Sequence, residues 1–240
     1  MAGILDLTPA IPILPFVSFV IAIILGYFTP RLLPKGGAIP GIIATGGSLL
    51  LSGAAAVAVA GGKTLNKAVY TWTAGGESAL SFHFGVLIDP LSAMMLVIVS
   101  LISFLVHVFS LGYMNDEGEI GLPSYYAGLG LFSASMLAFV LADNLLMAFM
   151  FFELVGLCSY LLIGFWFREP GPPSAAKKAF LVTRFGDYFF LIGVVATVAT
   201  FGTTRFLGHG EHAGFPQRAA AILEGGSSAE ALPSVTTFLG

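Results

Sequence analysis

Six long apolar runs divide the chain, and each can cross the hydrocarbon core of a bilayer as a helix, which takes about 20 residues. They cover residues 9–28, 38–60, 90–113, 121–141, 145–167 and 175–201. Only 10% of the residues are charged and 57% are hydrophobic, whereas soluble domains carry roughly 25% charged residues. The chain is therefore predicted to be an all-α, multi-pass membrane protein with about six transmembrane helices.

Two stretches depart from this helical pattern. Residues 68–88 contain Gly75-Gly76 followed by an alternating segment at 80–84, which predicts a small β-hairpin outside the membrane, between the second and third helices. Residues 202–240 are polar and rich in glycine, and we expect a loop that leads to a further helix missing from the chain. Three prolines open the first run, so its regular helix is expected to begin at the third, Pro15.

Composition and motifs exclude several functions. The formal net charge of −3 provides no basic surface for a nucleic acid. The single cysteine, Cys158, cannot form an intrachain disulfide and disfavours a cysteine-based metal site. His209, Glu211 and His212 lie in a glycine-rich stretch that is not typical of a metal site. No motif indicates a nucleotide, flavin or iron–sulfur site, so we expect no cofactor on this chain, and any redox chemistry must lie on partner chains.

One carboxylate lies in the middle of the fifth run. Glu153 is eight residues into it, or about 12 Å along a helix, close to the midplane of a core of about 30 Å. An acidic side chain there costs roughly 2.5–3.5 kcal/mol on insertion scales, so it must face protein or water. Because such carboxylates usually serve proton relays, we predict proton transfer for Glu153. The alternative is a protonated side chain that only bonds a neighbouring helix.

The sixth run carries a stripe of charged residues. Lys177, Arg184 and Asp187 are seven and three residues apart, which places them on one face of a helix. Lys178 lies beside this stripe, closer to the start of the helix. Arg184 and Asp187 can pair within the helix, and a cation near Glu153 would tune its proton affinity. The alternative is a structural clamp with no part in transport.

The third run has a polar face of its own. Its members are spaced three, four and three residues apart: Ser100, Ser103, His107 and Ser110. Such a face can hold water or bond a neighbouring helix. His107 is therefore a candidate for proton transfer, although a membrane histidine is more often a satisfied interior residue.

Five motifs occur in the order in which one known family carries them. They are LIDPLSAMM (87–95), HVFSLGYM (107–114), LADN (141–144), FFELVGLCSYLLIGF (151–165) and KAFLVTRFGD (178–187). Together they resemble the N-terminal part of the antiporter-like chain L, or chain 5, of respiratory complex I (NADH:quinone oxidoreductase). The resemblance covers essentially the whole chain and is strongest from about residue 69 to residue 190.

The resemblance implies that residues 1–240 are the N-terminal part of one antiporter-like transmembrane domain, in a proton-translocating membrane-arm subunit. Electron transfer would take place on partner subunits, which are expected to hold NADH, FMN, iron–sulfur clusters and quinone. The expected partners are the other membrane-arm subunits and the lipid bilayer. The expected location is the cell membrane or an equivalent energy-converting membrane.

The resemblance also implies roles for single residues. Glu153 would be the essential glutamate of the fifth helix, and Arg184 and Asp187 would be the charged residues of the sixth. Lys178 falls on a motif position, and His107 occupies a position where family members can carry histidine. The chain departs from the family at residue 152, where phenylalanine replaces the usual tryptophan. It also lacks the lysine of the broken seventh helix that partners the glutamate.

Two other functions stay open. A multi-subunit Na⁺/H⁺ antiporter is a related family without a redox partner, but its chains typically lack VGLCSYLLIGF together with TRFGD. The chain could also be a helical scaffold whose charges only fix packing. In that case, neutral substitutions of Glu153 and Asp187 would change assembly but not transport.

Overall fold

The computed structural model describes residues 5–28, 34–71, 83–114, 121–208 and 213–223. These residues form six long helices, one hairpin and one short helix. The helices are α1 (Ala10–Phe28), α2 (Ala38–Ala60), α3 (Pro90–Tyr113), α4 (Leu122–Val140), α5 (Leu145–Ile163), α6 (Gly171–Phe201) and α7 (Phe215–Leu223), and the strands are β1 (Leu65–Thr71) and β2 (His83–Ile88). A 3-10 turn, Pro34–Gly37, precedes α2. The predicted helical membrane fold with a hairpin between its second and third helices is confirmed.

Five of the helices, α1, α2, α3, α5 and α6, are long and apolar enough to cross a membrane. The other long helix, α4, is less apolar but has the most buried residues, because it packs against α1, α3 and α5. A helix enclosed by protein does not need an apolar surface on every side. Gly130 on α4 allows a close approach to α1, since a Cβ there would lie 3.2 Å from the Pro15 carbonyl oxygen.

The first helix begins at Ala10, so the prediction of a start near Pro15 is wrong. Pro15 has no N–H group and leaves the carbonyl of Ile11, four residues earlier, without its helical donor. Ser48 on α2 compensates, because its Oγ donates a hydrogen bond to the Ile11 carbonyl at 2.7 Å. This bond between helices allows α1 to continue through the proline.

The hairpin is longer at its first strand than predicted. β1 and β2 pair antiparallel from Leu65 opposite Ile88, so pairing begins before residue 68, and the register shifts between Ala68 and Tyr70. The predicted turn around Gly75-Gly76 lies at residues 72–82, which are outside the described residues. That the hairpin lies outside the membrane stays a prediction.

The chain after α6 is partly helical. Gly202 ends α6 in a left-handed conformation with φ 66°, which glycine adopts at little cost. The predicted loop at 202–240 contains the short helix α7, which the sequence pattern did not indicate. Residues 209–212 and 224–240 lie outside the described residues, so the HGEH stretch and the lead into a further helix stay predictions.

Side-chain caps determine where α3 and α5 begin. Asp89 Oδ1 accepts a hydrogen bond from Ser92 N at 2.7 Å, and Ser92 Oγ accepts one from Asp89 N at 2.8 Å. At α5, Asn144 Oδ1 accepts a hydrogen bond from Met147 N at 2.8 Å. Because α5 therefore begins at Leu145, Glu153 lies about 12 Å along the helix, near its middle.

Candidate functional site

Three charged side chains meet where α5 packs against α6. Glu153 Oε2 on α5 forms a direct ion pair with Arg184 Nη1 on α6. The same nitrogen lies 3.7 Å from Asp187 Oδ2, one helical turn further along α6. The predicted pairing of Arg184 with Asp187 at i and i+3 is thus present. The guanidinium lies between two carboxylates that come from different helices.

The three charged side chains are mostly, but not completely, buried. The exposed fraction of the side chain is 22% for Glu153, 27% for Arg184 and 8% for Asp187. Most of the Glu153 side chain therefore faces protein, as its cost in hydrocarbon requires.

Aromatic rings line the α5–α6 seam on both sides of the ion pair. The rings of Tyr160 and Phe180 are 5.2 Å apart, and those of Phe149 and Phe190 are 5.5 Å apart. Arg184 Cζ lies 4.4 Å from the centre of the Phe180 ring, a cation–π contact that also orients the guanidinium. These weakly polar walls strengthen the attraction between the charges.

The three charged groups can together exchange a proton. A guanidinium stays protonated in proteins, so only the two carboxylates of Glu153 and Asp187 can change the charge of the cluster. With both ionised beside Arg184 the cluster carries a formal charge of −1, and one bound proton neutralises it. A permanent cation between two acids can thus stabilise either acid while the other binds a proton.

The predicted lysine lies apart from this cluster. Lys178 is exposed and six residues before Arg184, or about 9 Å along α6. No described acidic side chain forms an ion pair with it or with the neighbouring Lys177. The role of Lys178 in transport stays a prediction that the structure does not support by contact.

His107 belongs to a different part of the molecule. The four residues of the predicted polar face on α3 are all buried, which confirms that they share a face. That face packs against α2 and α4, and Tyr126 of α4 donates a hydrogen bond to the Ser110 carbonyl at 3.1 Å. His107 therefore does not join Glu153. Its neighbours Ser18 and Gly41 were not predicted, although Ser18 is the lone serine of the apolar helix α1.

Two family descriptions match the chain in sequence order. Residues 72–126 match the family described as "NADH-Ubiquinone oxidoreductase (complex I), chain 5 N-terminus". Residues 142–223 match the family described as "NADH:quinone oxidoreductase/Mrp antiporter, TM", and this range contains both helices of the ion pair. The chain belongs to the antiporter-like chain 5/L family. The resemblance of its five motifs is confirmed.

Curated relatives of this family are much longer than the chain. Subunit L of the F(420)H(2) dehydrogenase of Methanosarcina mazei is 44% identical over 186 residues, which are 77% of this chain and 26% of the relative. NADH-quinone oxidoreductase subunit L of Neisseria meningitidis is 44% identical over 135 residues, 56% of this chain and 19% of the relative. The chain spans about a quarter or less of these family members.

Solved structures share the antiporter-like fold. The Mrp complex from Dietzia sp. matches with a TM-score of 0.63 and 26% identity, over 83% of this chain and 20% of that one. A membrane-bound sulfane sulfur reductase, an archaeal respiratory membrane complex, matches with a TM-score of 0.67 and 20% identity, over 83% of this chain and 38% of that one. The fold and the multi-pass membrane location are those of the family.

Proposed function

We propose that the chain is part of a proton-translocating membrane-arm subunit of a complex I-type NADH:quinone oxidoreductase, with Glu153 as the group that binds and releases the proton. The observation that carries this proposal is the ion pair between Glu153 and Arg184 in the middle of two membrane helices, with Asp187 as a second acid. NADH, FMN, iron–sulfur clusters and quinone are assigned to partner subunits. The other membrane-arm subunits are the partners of this chain.

The geometry supports a simple cycle. While Glu153 is ionised, it holds Arg184 in the ion pair. When Glu153 binds a proton this attraction is lost, and Asp187, 3.7 Å from the guanidinium, is close enough to hold the cation. Electrostatic or hydration changes driven by electron transfer would shift the balance between these two arrangements. Lys178 and His107 are proposed as further members of the proton route.

A related function, that of a multi-subunit Na⁺/H⁺ antiporter, is favoured by one observation. The Mrp complex from Dietzia sp. shares the fold at 26% identity. The named relatives of higher identity are instead subunits of F(420)H(2) and NADH-quinone dehydrogenases. Copurification with quinone reduction supports the redox-linked function, whereas antiport activity without it supports the antiporter.

The test is the substitution Glu153→Gln in the full-length protein within its purified complex, reconstituted in lipid vesicles. We expect fewer protons pumped per electron, because the amide cannot exchange a proton. The matched control is Glu169→Gln, which makes the same chemical change at an exposed position after α5 and should leave the ratio unchanged. A stably assembled Glu153→Gln complex that pumps at the wild-type ratio would overturn the proposal.

A further inference from the structure

Two buried polar atoms face one point between α1, α2 and α3. His107 is fully buried and Ser18 is 2% exposed. A Cβ built on Gly41 of α2 would lie 3.1 Å from His107 Nε2 and 3.7 Å from Ser18 Oγ. In the described part of the chain, neither polar atom has a hydrogen-bond partner. Both atoms therefore lie within 4 Å of one point beside Gly41, a residue that contributes no side chain there.

The protonation pattern of His107 follows from its other nitrogen. Nδ1 lies 2.8 Å from the carbonyl oxygen of Ser103, which can only accept a hydrogen bond. Nδ1 must therefore carry the hydrogen, and in the neutral ring Nε2 is a bare acceptor. The hydroxyl of Ser18 can donate or accept. A molecule placed between the two must donate to Nε2, which water can do.

The free-energy cost of leaving these atoms unpaired is substantial. A buried polar group without a partner costs about 1–3 kcal/mol, and buried unpaired groups in native proteins are usually satisfied by ordered water. A hard cation does not fit the two groups, because such ions take six or more oxygen ligands and Ser18 supplies one oxygen here. A buried water held by polar partners matches the chemistry of the site.

We propose that His107 Nε2 and Ser18 Oγ bind one water molecule beside Gly41. This hydration site lies within the first three helices and is separate from the Glu153–Arg184 pair on α5 and α6. A Cβ at position 41 would lie 2.6 Å from His107 Cδ2, so glycine at this position allows the imidazole ring to pack against α2. The proposed water site does not depend on whether Glu153 transfers protons.

The test is a cryo-EM map of the assembled complex at a resolution that shows ordered water. A peak is expected at hydrogen-bonding distance, about 2.7–3.2 Å, from both Nε2 and Oγ. The map of Gly41→Ala should lack the peak, because a Cβ 2.6 Å from His107 Cδ2 displaces the ring that holds the water. The map of Ser18→Ala should also lack it, since one partner alone does not hold a buried water.

The matched control is Ser52→Ala, which removes another fully buried hydroxyl that has no hydrogen-bond partner among the described residues and lies elsewhere on α2. It should keep the peak. A wild-type map with ordered water elsewhere but none here would overturn the proposal, as would a protein group bonded directly to Nε2. If Gly41→Ala does not assemble, a peak that persists unchanged in Ser18→Ala overturns it too.

Discussion

Arg184 contacts an acid on each side, Glu153 from α5 and Asp187 along α6. Removing Glu153 leaves the guanidinium with Asp187 and with the Phe180 ring. Removing Arg184 instead leaves two carboxylates near each other without a cation. Because an unpaired charge in a shielded site is costly, the two substitutions are not equivalent at the scale of single residues.

We therefore predict that Arg184→Gln lowers the Tm of the full-length protein more than Glu153→Gln does. The double variant should melt above Arg184→Gln alone, because one unpaired carboxylate is gone, with a coupling free energy of about 0.5–3 kcal/mol. Thermal unfolding in detergent measures the Tm of the two single variants and of the double variant. Arg168→Gln, at an exposed arginine after α5, is the control and should keep the wild-type Tm. If the loss of stability in the double variant equals the sum of the losses in the two single variants, the pair does not interact.

The residues of the cluster could be predicted, but their meeting could not. Glu153 stands out as a carboxylate in an apolar run, and the three-residue spacing of Arg184 and Asp187 predicts their proximity. Which face of α5 meets which face of α6 depends on tertiary packing, so the sequence pattern does not indicate the ion pair between the two helices. The same limit applies to Lys178, which lies on a motif position and yet is exposed.

At the scale of elements, α1 and α2 are joined by the hydrogen bond from Ser48 to the Ile11 carbonyl. This bond replaces the helical hydrogen bond that Pro15 cannot donate. Ser48→Ala should destabilise the protein by about 1–3 kcal/mol, because the buried Ile11 carbonyl loses its donor. In a Pro15→Ala background the cost should fall, since a backbone N–H becomes available for the same carbonyl. Chemical unfolding in mixed micelles measures the free-energy cost of Ser48→Ala in both backgrounds. An equal cost in the two backgrounds would contradict this account of the proline.

Backbone hydrogen bonds also connect the α4–α5 turn to the hairpin and to the chain after α6. Leu87 N donates a hydrogen bond to the Leu141 carbonyl at 3.0 Å, and Phe206 N donates one to the Asp143 carbonyl at 3.1 Å. The Asp143 side chain is buried against Gly85 of β2 and accepts a hydrogen bond from Asn144 Nδ2 at 2.7 Å. Burial raises the pKa of Asp143 above its ordinary value of 3.8, although Asn144 and other neighbours lower it in part.

This raised pKa predicts the sign of a pH dependence. The folded protein binds the Asp143 proton more tightly than the unfolded chain does, so this contribution to stability is complete below the ordinary pKa. It is lost as the pH rises from there through the raised value. The Tm of wild type relative to Asp143→Asn should therefore fall over that range, as thermal unfolding at a series of pH values measures. Asp6→Asn, at an exposed carboxylate, is the control, and parallel curves for wild type and Asp143→Asn would refute the assignment.

The lengths of most elements could be predicted, because apolar runs and caps such as Asp89 are local signals. The start of α1 could not, since the bond that allows it to pass Pro15 comes from Ser48 on another helix. The helical stretch α7 was also missed, because it has only nine residues and lies between glycine-rich stretches.

At the scale of the whole molecule, α6 is the least enclosed of the five candidate membrane spans. It has 31 residues, about 46 Å of helix, and within the described part of the chain it packs mainly against α5 and α7. Its large exposed side chains are Leu181, Val182, Phe185, Tyr188, Phe189, Leu191, Ile192 and Val195. An apolar surface of this size is compatible with lipid or with further membrane helices, and it places the charged cluster next to that surface.

The central claim is that Glu153 gains and loses a proton during turnover. Infrared difference spectra of the assembled complex, recorded between the resting and working states, test it most directly. We predict a band of a protonated carboxylic acid that shifts in D₂O, disappears in Glu153→Gln and persists in Glu169→Gln. Spectra of Glu153→Gln that match the wild type would contradict the claim, because the proton would then be carried by another group.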